Sequence, residues 1–469
     1  MMSNAALEVL ENVTFDEIHI GQSARLLRTL RLEDIQAFAA VSGDTNPAHL
    51  DAAYADATLF HGVIAHSMWG GSLISALLGT VFPGPGTIYL EQNLHFSEPV
   101  RIGDTLDVNV TVTSRDPERK QITLDCVVLN QRGERVLYGM ARVLAPTVKV
   151  RHQRLFHPQI QINDPQARFE ALLALGNKLP AVLCGVVHPC DAESLRGAMQ
   201  AAQRGLIEPV LIAPEARLRA VAEEAGVDLH DVKMVFVEHS HAAAAMAASM
   251  AAANQLGALM KGSLHTDELI HAVLAEPALR TARRMSHVFR FDVPAYPKPL
   301  LITDAALNIA PTLTEKVDIV QNATYFAQVL GVERPKVAIL SALETVNPNI
   351  PSTIDAAALC MMAQRGQITG GVLDGPLAFD NAISAEAARV KNIRSEVAGD
   401  VDILMVPDIE SGNMLAKQLE YLGGGTASGL VLGARVPIAL TSRADGPMAR
   451  CASALLAKLV AHHDRRKRS

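Results

Sequence analysis

The chain has 469 residues, 49% of them apolar, and a formal charge of −7 from 42 basic and 49 acidic side chains. That length predicts two or three domains, and so mild a charge is not the footprint of a nucleic-acid binder. Five dispersed cysteines without C-x-x-C spacing argue against a disulfide framework or a zinc cage and suit a reducing cytoplasm.

The first residues, MMSNAALEVLENVTFDEIHI, lack a basic head followed by an apolar run, so no signal peptide is expected. LEDIQAFAAVS (32–42) is helical by pattern, with Gly43 placed to end the helix. Asn46-Pro47 then forbids simple continuation, and AHLDAAYADA can start a new helical turn. The stretch 64–82 has apolar residues at helical spacing. Four runs, 87–96, 105–114, 120–131 and 134–145, alternate with period two and are separated by short turns. An antiparallel sheet with one apolar helix laid on it follows, because each then covers the other's apolar face.

Residues 149–175 read as a linker becoming a helix. Beyond them, apolar runs at 181–187, 209–213, 234–238, 299–304, 336–341, 402–407 and 436–442 alternate with amphipathic helices. That rhythm predicts a mainly parallel sheet covered on both faces. The uncharged stretch 242–260 is mostly alanine and includes Asn254 and Gln255, so it reads as a buried helix capped at Ser240 rather than a membrane span. The basic tail HHDRRKRS reads as a solvated terminus.

Within SGDTNPAHLD (42–51), Asp44 and His49 flank a turn where their side chains can converge on one point. A carboxylate and an imidazole aimed at one water can divide the two proton transfers of its addition to a double bond. The plainer reading makes Asp44 and Asn46 formers of Asx turns and His49 a surface residue. The surrounding pattern S-G-D-x-N-P-x-H-x-D, followed by Y-A, F and I-A-H, resembles the MaoC-like (R)-specific enoyl-CoA hydratases over the first 145 residues or so. The resemblance implies an α+β hot-dog domain over 1–148 with Asp44 and His49 as the catalytic pair and Asn46 holding the turn. It places a backbone N–H that meets the thioester oxygen at Ser67, where the family usually has glycine. His66 is expected to be a buried structural histidine. Ser67, Trp69 and FPGPGT (82–87) are expected to border the acyl tunnel.

The later blocks VVHPCDAESLRGAMQ, MKG (260–262), ITDAALNIAPTLTEK, GGVLDGPLAFDNAIS, AGDVDILMVPDIESGN and ALTSRAD (439–445) together resemble the phosphate acetyl/butyryltransferases. This implies an α/β fold of two subdomains over 176–469, of the isocitrate/isopropylmalate-dehydrogenase-like type, with the active cleft between them. Thr441-Ser442-Arg443 follows an apolar strand, at the strand end where α/β folds bind ligands. By the resemblance Arg443 binds phosphate, Ser442 positions substrate and Asp445 is the candidate base toward the CoA thiol. Ser411-Gly412-Asn413 offers either a phosphate or CoA contact or an ordinary helix cap. DGPLAFD (374–380) is expected to line the cleft.

The expected activity is therefore bifunctional: hydration of a trans-2-enoyl-CoA to an (R)-3-hydroxyacyl-CoA, and acyl exchange between CoA and phosphate. Acyl-CoA and inorganic phosphate would be substrates, with no permanently bound cofactor, no metal, no nucleic-acid or membrane partner, a cytoplasmic location and a homo-oligomeric state. Two rivals stay open: a hydratase with a degenerate CoA-binding regulatory half, and a non-catalytic acyl-CoA-binding scaffold.

Overall fold

The structure, a computed structural model, describes residues 9–153, 165–441 and 446–468. The chain divides into two compact units, with the break after residue 162.

The first unit is an antiparallel five-stranded sheet in the order Ser23–Thr29, Thr105–Asp116, Gln121–Leu129, Arg135–Leu144, Ile88–Phe96. Strict alternation buries Leu106, Val108, Val110 and Val112 from one strand and Ile122, Leu124, Cys126 and Val128 from the next. The helix Ser67–Thr80 brings Trp69, Ile74, Leu77 and Leu78 into the same core. Removing these groups from water is the main force holding sheet and helix together. One helix wrapped by one antiparallel sheet is the hot-dog arrangement. Ser23–Thr29 was not anticipated, because as an edge strand it buries no residue and its period-two signal is weak. The loop 82–87, expected to border an acyl tunnel, is not among the residues lining the cavity at Ser67. It packs against the N-terminal strand, where buried Asn12 donates from Nδ2 to the carbonyls of Pro85 (3.0 Å) and Val148 (2.9 Å). Trp69 lies in the core and is not among the residues lining that cavity.

Both ends of the expected linker are folded. Arg151–Gln153 pairs antiparallel with Val9–Glu11, and the helix Pro165–Ala174 brings Phe169, Leu172 and Leu173 into the core of the second unit.

That second unit carries one eleven-stranded sheet with helices on its faces. Parallel pairings occupy both flanks, and three consecutive antiparallel pairings fill the middle. There Thr426–Leu432 lies between Ile438–Ala439 and Ser286–Asp292, and the latter continues to Leu300–Thr303. Neither Ser286–Asp292 nor Thr426–Leu432 was anticipated as a strand. Ser286, His287, Arg290 and Asp292 interrupt the first apolar run, and Thr426, Ser428 and Gly429 the second. The helix Ser240–Ala252 is buried through Ala243, Ala244, Ala247, Ala248 and Ala251, but its cap is His239, whose Nδ1 accepts from the Ala242 N–H at 3.1 Å. Among the described residues no helix is long and apolar enough to cross a membrane.

Candidate active sites

In the first unit the helix Leu32–Ser42 ends at Gly43 with φ +74°, the left-handed conformation that glycine adopts without steric cost. Asp44 follows, and its Oδ1 accepts from the Asn46 N–H at 3.2 Å. The Asn46 side chain in turn caps the short helix Pro47–Leu50 by accepting from the Ala48 N–H at 3.0 Å. These are Asx turns, and they aim Asp44 and His49 at one place. A carboxylate oxygen of Asp44 and one ring nitrogen each of His49 and His66 lie within 4.8 Å of one another.

His49 is 9% exposed, and its Nδ1–H donates to the Ile64 carbonyl at 2.9 Å. That bond leaves Nε2 of the neutral ring with its lone pair. His66 is buried and holds the other partner, its Nε2–H donating to the backbone carbonyl of Asp44 at 2.9 Å. Its ring sits against His49 with centroids 3.9 Å apart. His66 is thus buried and hydrogen-bonded, and its bond holds the backbone of Asp44. One carboxylate and two imidazoles are also donors of the kind that ligate transition metals.

His66 is the N-cap residue of the helix Ser67–Thr80, so Ser67 opens that helix directly beside the Asp44–His49 pair. The first N–H groups of a helix have no intrahelical partner and favour negative charge. Ser67 lines a cavity of about 280 Å³ together with Ile64, His66, Gly70, Phe96 and Leu137. Ser97 and Glu98 are also among its lining residues.

In the second unit, Ser442, Arg443 and Asp445 lie outside the described residues. Thr441, immediately before them, is buried, and its Oγ1 accepts from Arg450 at 2.9 Å. Thr441 lines a cavity of about 320 Å³ with Lys261, His265, Thr266, His287, Asn413 and Lys417. Among the described residues no acidic side chain lines it, and the helix Thr266–Ala275, with Asp267 and Glu268 in its first turn, begins there. Its cationic groups are Lys261 and Lys417, the latter paired with Glu420 at 2.8 Å, and cations are the groups that hold an anion.

Asn413 of the expected trio therefore reaches the cavity, and Gly412 does not. The N–H of Ser411 is taken by the Asp408 carboxylate at 2.8 Å, an ordinary helix cap. Gly412 instead lets the helix Ile409–Tyr421 approach the backbone of Asp304 and Ala305. DGPLAFD does not line this cavity: Asp374 bonds the adjacent Gly375 N–H, and Asp380 pairs with Lys391.

Lys261 and His287 were missed by reading the sequence. Lys261 sits in the M-K-G block and is only 5% exposed, and a cation inside an apolar strand was the available signal. His287 gave no signal, because a histidine in a strand is ordinary.

Residues 237–456 match the family described as "Phosphate acetyl/butaryl transferase", and residues 17–130 match the "MaoC like domain". A phosphate acetyltransferase of Rhizobium meliloti is 57% identical over 296 residues, 63% of this chain and 94% of that protein. The crystal structure of a branched-chain phosphotransacylase from Enterococcus faecalis V583 aligns with TM-score 0.53 and 31% identity, over 60% of this chain and 99% of that one. The (R)-hydratase PhaJ1 of Pseudomonas aeruginosa is 44% identical over 33% of this chain and all of its own, with TM-score 0.33. The chain belongs to the phosphate acetyl/butyryl transferase family and carries a MaoC-like hydratase domain ahead of the transferase domain.

Proposed function

We propose that the first unit hydrates trans-2-enoyl-CoA thioesters at Asp44 and His49, and that the second exchanges an acyl group between CoA and phosphate at the cavity bordered by Lys261, Asn413 and Thr441. The convergence of Asp44 with His49, whose Nδ1–H is spent on Ile64 while Nε2 keeps a lone pair, carries the first assignment. His49 Nε2 takes a proton from water as the water oxygen bonds carbon 3 of the enoyl group. The displaced electron pair moves onto the thioester oxygen, against the N–H groups at Ser67, and carbon 2 then receives a proton through the Asp44–His49 pair. One water is added and both side chains return to their starting state.

For the transferase, a phosphate oxygen attacks the thioester carbonyl carbon, the C–S bond breaks, and the proton of hydrogenphosphate ends on the CoA thiolate. The cationic cavity supports this reading, because a dianion must be held beside the thioester. Arg443 and Ser442, which follow Thr441 directly, are placed in the phosphate-binding and positioning roles, and Asp445 in that of the base. Five free cysteines suit a reducing cytoplasmic setting. The edge strand Ile88–Phe96 exposes Ile88, Tyr89, Leu90 and Phe96, which suits pairing with a second copy.

Loss of the conjugated-thioester absorbance of crotonyl-CoA reads the first activity, and Asp44→Asn should lower its rate at least 100-fold, about the contribution of a positioned acid or base. Unchanged turnover removes the assignment. Phosphate-dependent release of CoA from acetyl- or butyryl-CoA reads the second, and Arg443→Ala should abolish it. A wild-type protein that releases no CoA would make the second unit a regulatory binding module.

A further inference from the structure

His287 lies on the strand Ser286–Asp292 and is fully buried at 0% exposure, yet neither ring nitrogen has a hydrogen-bond partner among the described residues. Buried polar atoms are nearly always paired, so a doubly unpaired ring needs an explanation. His287 is also one of the residues lining the cationic cavity, with Lys261 and Thr441. Its position is firmly built. The His287 backbone N–H donates to Asp304 at 3.1 Å, and its carbonyl accepts from the Thr303 hydroxyl at 2.8 Å. Asp304 is itself held by the N–H groups of Ala306 and Leu307 and by Asn308 Nδ2 at 2.6 Å. Gly429 leaves room for the imidazole, since a Cβ there would stand 2.7 Å from Nε2.

We propose that His287 is a catalytic residue of the acyl exchange, its neutral imidazole donating a hydrogen bond to the thioester carbonyl oxygen as that oxygen gains charge. The proposal rests on the transferase reading of this cavity. Burial lowers the pKa of the ring, which keeps it uncharged at neutral pH. Lys261, and Lys417 with its Glu420 partner, already place cationic groups at the cavity for a dianion. A neutral donor adds little to phosphate binding, but it strengthens where charge appears only in the transition state. When phosphate adds, the C=O π pair moves onto oxygen and meets the imidazole N–H. When the pair returns, the C–S bond breaks and the imidazole is unchanged.

The test is steady-state kinetics of phosphate-dependent CoA release by the full chain carrying His287→Phe or His287→Asn. Loss of one such donor costs about 100- to 1,000-fold in kcat. His287→Phe should show that loss with KM for phosphate and acyl-CoA within about threefold of wild type, and His287→Asn, which keeps an N–H donor, should recover part of it. Crotonyl-CoA hydration in the same preparations should be unchanged, and a His287→Phe chain that fails to fold leaves His287→Asn, with its intermediate kcat and unchanged KM, to decide. If wild type is active and either variant matches its kcat, or if the loss falls on KM for phosphate instead, the role is overturned while the transferase reading stands. If wild type releases no CoA, the transferase reading fails and takes this role with it.

Discussion

At Gly412 the space for a side chain is already filled. A Cβ there would lie 2.7 Å from Val406 Cγ2, 2.9 Å from the Asp304 carbonyl oxygen and 3.0 Å from Ala305 Cα. Two of these neighbours are backbone, so relief requires moving the helix Ile409–Tyr421, which carries Asn413 and Lys417 to the cavity wall. Gly412→Ala should therefore destabilise the second unit by about 1–3 kcal/mol, the usual cost of overpacking, and lower CoA release while leaving crotonyl-CoA hydration intact. Denaturant unfolding with both assays checks it, and an unchanged midpoint would show that the helix yields freely. Other residues were more legible. Asp44 and His49 stand in one decapeptide, and the turn there brings them near each other before His66 and Ile64 hold them. Of the plainer reading the Asx turns hold, and they aim the pair, but His49 is buried rather than at the surface.

Among elements, the short helical turn Phe15–Glu17 shows how a local motif is reinforced at a distance. The Glu17 carboxylate accepts from the N–H of Thr14 at 2.8 Å and its hydroxyl at 2.9 Å, and from Lys149 Nζ at 2.9 Å. These bonds, the backbone one foremost, lower its pKa from 4.5 to about 2. The folded state thus favours the ionised form, so this contribution is fully present above pH 4.5 and is lost as pH falls toward 2. Glu17→Gln should weaken the first unit at neutral pH and flatten its acid-unfolding profile across that window. An acid limb identical to wild type would deny Glu17 any part in it. The capping half of this arrangement lies within four residues, whereas the Lys149 half joins positions 132 apart. The same division explains the strands. Thr105–Asp116 and Gln121–Leu129 were legible because one face is buried and the other wet, while Ser286–Asp292 is buried on both faces and studded with polar residues, among them the paired Arg290 and Asp292.

For the whole molecule, each hydrophobic core draws on residues of one unit only: Phe15 to Ala145 in the first, Phe169 to Ala461 in the second. Units with separate cores unfold as separate cooperative steps. Calorimetry should resolve two transitions, and Gly43→Ala, which forces a β-carbon onto φ +74°, should cost about 1 kcal/mol and shift only one of them. A single shared transition would show that the units are energetically coupled. The sequence by itself determined the two-part plan, the helix ends at Gly43 and the acid–imidazole pairing, because each depends on neighbours within a few residues. Tertiary structure alone decided that His66 holds Asp44, that the middle of the large sheet runs antiparallel, and that His287 and Lys261 meet Thr441 around one cavity. Those contacts join residues from 22 to 180 positions apart, and no local periodicity records which distant side chains a fold will bring together.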